Sequence, residues 1–311
     1  MKRIFVADIG ASTGNLIEQF QVGEIQRRLK RDGQAYLTLT LKDRTGALDG
    51  KLWNIPPGFS VNEGEFVKIE ADTGMYREDL QLNIRRIRKL ALDEVELSDF
   101  LPVSKRDRDG MLAELRTRLS AIGDCHLGLR GALLRMVGDL APALINAPAA
   151  KSNHHAYLGG LLEHMLSLIG LAERVSEHYS ELDRDVLLAA AVLHDIGKLT
   201  ELCYETALGY ARRGTLVGHW FLGVEILNRY CGEVDQTTRE HLEHIIVSHH
   251  GQIEWGAVKP PMTREGRVFH LLDMIDSQMA MMSDAFGQGT DGNGFTAFVP
   301  ALRTPLWSGR W

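Results

Sequence analysis

The hydrophobic period of this chain changes once, close to residue 100. That change rules out a single repetitive architecture. Up to about residue 90 the apolar residues come in short, partly alternating runs: "QAYLTLTL" (34–41), "ALDGKLW" (47–53), "FVKIEADTGMYR" (66–77) and "LQLNIRRIRKL" (80–90), separated by Gly and Asp turns. Alternation of this kind marks half-buried strands. In the last run Leu80, Leu82, Ile84 and Ile87 are expected to face a core, with Arg85, Arg86, Arg88 and Lys89 outward. From about residue 105 the spacing becomes helical. Leu158, Leu161, Leu162, Met165, Leu168, Ile169, Ala172 and Val175 form an i, i+3, i+4, i+7 stripe. "TTREHLEHIIVSHHG" reads as a helix from a Thr cap to Gly251, and "EGRVFHLLDMIDSQMAMM" (265–282) as another.

The expected architecture is multidomain. An all-β unit spans residues 1–92, a linker 93–104, an all-α domain 105–286, and a tail 287–311 follows. Five strands suggest a small barrel, and five is the strand number of the OB-fold. "NIPPGFSVNEG" (54–64) stands where that fold often carries a helix, and Pro56 and Pro57 argue against one here. The tail is too apolar to float free. It should pack on the helical domain or on a second copy, so a homo-oligomer stays open.

Composition supports this division. Residues 1–92 hold 15 Lys+Arg against 12 Asp+Glu, a balance of +3, while the whole chain carries −6. The excess of base therefore sits on the strand-rich unit, and the whole protein is not a basic nucleic-acid binder. The three cysteines (Cys125, Cys203, Cys231) form no CxxC pair and read as reduced thiols in a cytoplasmic protein. No window reaches the roughly 18 apolar residues of a membrane span, and the amino terminus lacks a signal peptide's apolar run and cleavage site.

The chemistry lies in polar groups that the helical pattern should exclude. In "RDVLLAAAVLHDIGKL" (184–199) every residue from Val186 to Leu193 is apolar, and His194 and Asp195 follow. A charge beside such a helix is costly unless it is paired, hydrogen-bonded or bound to metal. The pair either opens into a metal-binding cleft or merely caps the helix. His164 borders the buried stripe, His219 lies in "LVGHWFLGVEIL", His249 and His250 end a helix, and Asp273 lies in "HLLDMID". Each alone reads as a satisfied core residue. Together, several inward imidazoles and carboxylates call for a divalent cation.

These residues resemble the signature of the HD-domain metal-dependent phosphohydrolase superfamily: His164, then His194-Asp195 in "HDIGK", then Asp273. With "NHHAYLGGLLEHMLS", "GH" at 218–219, "SHHG" at 248–251 and "HLLDMIDSQM", the chain resembles the YhaM-type 3′-to-5′ exoribonuclease family over most of its length. The resemblance implies that Asp273 rather than Asp276 is the last ligand, and that His219 and His249, with His250 as the alternative to His249, are the further ligands of a two-metal site. It also implies removal of nucleotides from the 3′ end of single-stranded RNA, with single-stranded DNA left open.

Mixed His and carboxylate ligation suits Mn²⁺ first, and Fe²⁺, Co²⁺ or Zn²⁺, better than the oxygen-seeking Mg²⁺. Asp195 would bridge two ions, with His164, His194 and Asp273 on one and His219 and His249 on the other. Such a pair holds a hydroxide in line with phosphorus. Lys198 either stabilises the phosphoryl transition state or is a solvated helix-end lysine. His154 and His155 either touch substrate phosphate or form an exposed turn. His241 and His244 are expected on a solvated face. Tyr36, Trp53 and Tyr76, with Arg85, Arg86 and Arg88, could hold a single strand by stacking and charge, unless Trp53 is core and the arginines a plain polar face. Two other functions compete: an HD-type nucleotide or cyclic-nucleotide phosphodiesterase, and a non-catalytic single-strand-binding protein.

Overall fold

The computed structural model describes residues 2–77, 79–151, 155–203 and 209–309. The chain divides into two compact units, the first reaching Pro102 and the second opening at Val103.

The first unit has five strands: β1 (Asn15–Leu29), β2 (Ala35–Asp43), β3 (Gly46–Leu52), β4 (Phe66–Tyr76) and β5 (Asp79–Leu90). Their order is β1-β2-β3-β5-β4, and β4 pairs back onto β1 to close the ring. The β3–β5 pair is parallel and every other pair antiparallel. This closed five-stranded barrel is an OB-fold. β1, 15 residues long, precedes the runs quoted above, and β5, 12 residues long, matches the run at 80–90 to within one residue. Irregularities in register between Val22 and Ile25 and between Glu70 and Ala71 bend the strands around the barrel.

Alternation fills the interior. Phe20, Leu39, Leu41, Leu52, Val67, Ile69 and Leu82 are removed from solvent, each such burial stabilising by roughly 1.5–3 kcal/mol. Ile84 joins them, while Leu80 and Ile87 pack against this core from partial exposure. Residues 54–64 form no helix. The stretch read as a linker adheres to the barrel. Its Phe100 ring lies 4.9 Å from that of Phe66, beside Leu90, Val95 and Leu97.

The second unit is helical: α1 (Arg108–Ser120), α2 (Leu129–Asp139), α3 (Ala141–Leu144), α4 (Gly160–His178), α5 (Arg184–Leu193), α6 (Lys198–Glu201), α7 (Arg212–Tyr230), α8 (Gln236–Ser248) and α9 (Arg264–Gly287), with a two-residue ribbon of β6 (Leu202–Cys203) and β7 (Gly209–Tyr210). The unbroken apolar run now has its reason. α5 is central, packed by α4, α8 and α9, and Val186 to Leu193 are all buried. Asp183 caps it by accepting from the N–H groups of Asp185 and Val186.

Two boundaries differ from expectation. α8 is capped by Asp235, whose side chain accepts from the Thr238 N–H, rather than by a threonine. α9 runs five residues past Met282. The tail doubles back, pairing Phe295 with Trp307 and Val299 with Thr304. Its residues 296–301 line a cleft with Met281, Asp284 and Ala285 of α9.

Candidate metal centre

Four elements deliver the polar groups to one place. α4 carries His164, the end of α5 carries His194 and Asp195, the end of α8 carries His249 and His250, and α9 carries Asp273. The fifth contribution depends on a break in α7. Gly218 adopts φ +72°, and there the helix restarts with His219. A side chain at 218 would also strike the Trp220 ring at 2.6 Å. Gly197 explains the "HDIGK" spacing. A Cβ there would lie 2.0 Å from the His219 carbonyl oxygen, so only glycine lets the start of α6 lie against α7.

Asp195 is the centre of the constellation and is almost wholly buried. Its Oδ2 lies 3.3 Å from His194 Nε2 and 3.9 Å from His164 Nε2. Its Oδ1 faces the other way, 3.6 Å from His219 Nε2 and 3.8 Å from His249 Nε2. His164 Nε2 in turn lies 3.3 Å from Asp273 Oδ1. The donors around Asp195 fall into two groups, His164, His194 and Asp273 on one side and His219, His249 and His250 on the other, and a third cluster of His155, His164 and Asp276 lies behind His164.

The imidazoles are oriented from behind. His194 Nδ1–H donates to the Ala190 carbonyl (3.2 Å), His249 Nδ1–H to that of Ile246 (2.8 Å) and His250 Nδ1–H to that of Trp255 (3.0 Å). His219 Nδ1–H donates to Glu201 (3.2 Å). A carbonyl or carboxylate can only accept, so Nδ1 of each of these four rings carries a hydrogen and Nε2 is the atom left to face the centre, that of His194 lying 3.2 Å from His164 Nε2. Asp195 Oδ1 and His219 Nε2 are buried without a hydrogen-bond partner. Burying acceptors in this way is expensive, and a shared cation removes the cost. The donor set fits a divalent metal.

Electrostatics agree. Burial opposes ionisation of Asp195, yet Lys198 and His194 hold its carboxyl well below the usual range. Asp273 is likewise held low, burial being outweighed by its bond from His164 and by His194. Burial would neutralise His164, but Asp273 and Asp276 push it up to about 9. A proton there supplies the positive charge that these carboxylates demand. Burial and the charge of His250 push His249 well below the usual imidazole value, keeping it an electron-pair donor.

Lys198 is not solvated: its ammonium lies 2.6 Å from Asp195 Oδ2. It lines a pocket of about 240 Å³ with Asp195, His249, His250, Asp273, Trp255 and His270. His154 lies outside the described residues. His155 is no exposed turn. Its ring is mostly buried, with Nε2 3.3 Å from Asp276 Oδ2 and Nδ1 2.8 Å from the Tyr157 hydroxyl. Asp276 accepts from His164 Nδ1 at 2.7 Å and from the Ser167 hydroxyl, so it holds a candidate ligand from behind. His241 and His244 are half-buried at the entry to α9 rather than solvated. His241 Nε2 meets Thr263 Oγ1 at 2.9 Å, and His244 Nε2 accepts from the Met262 N–H.

Sequence reasoning missed Glu201, Trp255 and His270. His270 left a usable signal, since it stands three residues before Asp273 on one helix face; its Nδ1–H donates to the His249 carbonyl (2.8 Å). Glu201 and Trp255 left none.

On the barrel, Tyr36 and Trp53 stack at 4.7 Å, and the Lys51 ammonium sits 4.3 Å from the Tyr76 ring centroid. Trp53 is exposed, not core. Beside Tyr76 lies a groove of about 400 Å³ with Arg28, Lys51 and Arg77. Arg85, Arg86 and Arg88 do not join it. They pair with Asp72, Glu70 and Glu94 and line a separate hollow with Ile17 and Lys68. The cations that accompany the aromatics come from β1, β3 and the β4–β5 turn instead.

Residues 161–278 match the HD domain family, which implies dependence on a divalent metal. The chain is 34% identical over 257 residues to the 3′-5′ exoribonuclease YhaM of Listeria welshimeri, covering 81% of each protein. It is 32% identical over 295 residues to the YhaM proteins of Bacillus velezensis and Bacillus subtilis, covering 93% of each. The second OB-fold domain of replication protein A from Methanococcus maripaludis aligns with 28% of the chain and 93% of its own, at 21% identity and a TM-score of 0.22. Among the described residues no helix is long and apolar enough to cross a membrane. With identity of this level over this much of its length, and with the HD ligand set gathered in one buried centre, the chain belongs to the YhaM family of HD-domain hydrolytic nucleases.

Proposed function

We propose that this chain is a 3′-to-5′ exoribonuclease that hydrolyses single-stranded RNA with two divalent ions, Mn²⁺ foremost. One observation carries the reading. Asp195 turns one oxygen to each of two donor groups, and Oδ1 has no hydrogen-bond partner of its own. His164, His194 and Asp273 would hold one ion, and His219, His249 and His250 the other, with Asp195 between. When bound, such a pair activates water near neutral pH and neutralises phosphoryl oxygens. Lys198 holds Asp195 ionised and keeps an ammonium at the pocket wall, where charge builds on the phosphoryl group. Tyr36, Trp53, Lys51 and Tyr76 would grip the strand upstream by stacking and charge, with little choice of sequence.

The test uses 5′-labelled single-stranded RNA and purified protein with Mn²⁺. A ladder shortening from the 3′ end supports the reading, and a matched DNA strand reports the sugar preference. Cleavage of mononucleotides or cyclic dinucleotides alone would instead make this a small-molecule phosphodiesterase. Binding without cleavage would make it a non-catalytic binder.

A further inference from the structure

The pocket over the metal centre carries a group that the hydrolytic chemistry does not use. Trp255 lines it together with Asp195, Lys198, His249, His250 and Asp273. The residue is 53% exposed, unusual for an indole, whose burial would stabilise the fold. It sits on the short turn Ile253–Trp255, followed by Gly256 at φ +99°. The backbone of that turn is pinned: the Trp255 carbonyl accepts from His250 Nδ1–H at 3.0 Å, and the Trp255 N–H donates to Gln252 O at 3.1 Å. On its other side the His270 ring lies 6.0 Å away, itself fixed to the His249 carbonyl. An exposed indole is thus carried on a pinned backbone at the wall of the pocket that Asp195 and Lys198 also line.

We infer that Trp255 is the resting face for the base of the 3′-terminal nucleotide, a subsite for any nucleobase ring. The inference rests on the exoribonuclease reading and adds a substrate contact to it. Three features fit. The pocket, about 240 Å³, is small, in keeping with a chain end rather than a continuous duplex. Its carboxylates, Asp195 and Asp273, belong to the candidate metal centre, and the apolar part of its wall is Met274 and the Trp255 indole. Stacking is tolerant of sequence because every base presents a π-face, which suits removal of successive nucleotides of any kind. The pinned turn also means that stacking costs little ordering.

The test compares 5′-labelled RNA 12-mers ending in adenosine or in an abasic ribose, with saturating Mn²⁺. Wild-type protein should show a KM lower by about tenfold for the adenosine end. Trp255→Ala should lose that preference, its KM on the intact strand rising to the abasic value while kcat stays within threefold. Trp255→Phe should keep most of the preference. Calorimetric Mn²⁺ affinity should be unchanged in both variants, because the backbone carbonyl and not the ring holds His250. Binding of adenosine 5′-monophosphate, measured by calorimetry, should weaken in Trp255→Ala. If wild type shortens RNA but ignores the abasic end, or if Trp255→Ala slows both substrates alike, the base subsite is overturned and the nuclease reading stands. If wild type shortens neither strand, the nuclease reading itself falls and takes the subsite with it.

Discussion

Asp195 has no slack. Its oxygens face imidazoles on two sides, Oδ1 without a hydrogen-bond partner, and it is shut off from water. Asp195→Ala should lower RNA hydrolysis by at least a thousandfold while far-UV circular dichroism changes little. Retained turnover would remove it from the centre. The supports behind the ligands should act on affinity rather than chemistry. Asp276→Asn and His155→Ala weaken the grip on His164, so calorimetric Mn²⁺ affinity should fall about tenfold to a hundredfold. His164 also predicts a pH response of the metal-free protein. Its folded value, about 9, lies above that of a free imidazole. Its contribution is therefore complete below about pH 6.5 and vanishes as pH rises through about 9. In EDTA the melting temperature should drop by several degrees over that window, and Mn²⁺ should abolish the drop because metal displaces the proton. The candidate ligands were readable because histidine and aspartate stand out inside apolar helical stripes. Glu201 and Trp255 were not: Glu201 ends the short helix α6 and Trp255 a single helical turn, and only folding brings His219 to the first and the pocket to the second.

At the scale of the element, the site depends on glycine where helices meet. Gly197→Ala would drive a methyl into the His219 backbone, and overpacking of this kind costs about 1–3 kcal/mol. Chemical denaturation should show that loss, and Mn²⁺ affinity should fall with it, since His219 moves first. Asp183→Ala removes the cap of α5, for about 1 kcal/mol. The strand-to-helix change and the burial of α5 were legible because period is a local property. The break in α7 was not. "LVGHWFLGVEIL" reads as one helix by composition, and only the positive φ of Gly218 shows the restart that aims His219 inward. The adherence of residues 93–100 to the barrel was hidden for the same reason: it comes from Phe100 meeting Phe66, two positions far apart in sequence.

Across the whole molecule, the chain forms two compact units, and the proposed function gives strand binding to one and hydrolysis to the other. Removing residues 1–102 should raise KM for strands of about 30 nucleotides by tenfold or more, while hydrolysis of dinucleotides stays within threefold. Equal loss on both would argue that the barrel is needed to build the helical unit rather than to hold substrate. The strand order was out of reach of sequence reading, because which strands become neighbours is settled by closure of the ring and not by any one run. That closure has a further consequence. With β4 bonded back to β1 over Asn15–Gln21 and β3 to β5 over Asp49–Leu52, closure leaves the barrel less strand edge onto which a stranger's backbone could zip than an open sheet would. What the barrel captures should then be held chiefly by rings and by lysine and arginine side chains such as Lys51, Arg28 and Arg77, so its hold should loosen steeply as salt rises.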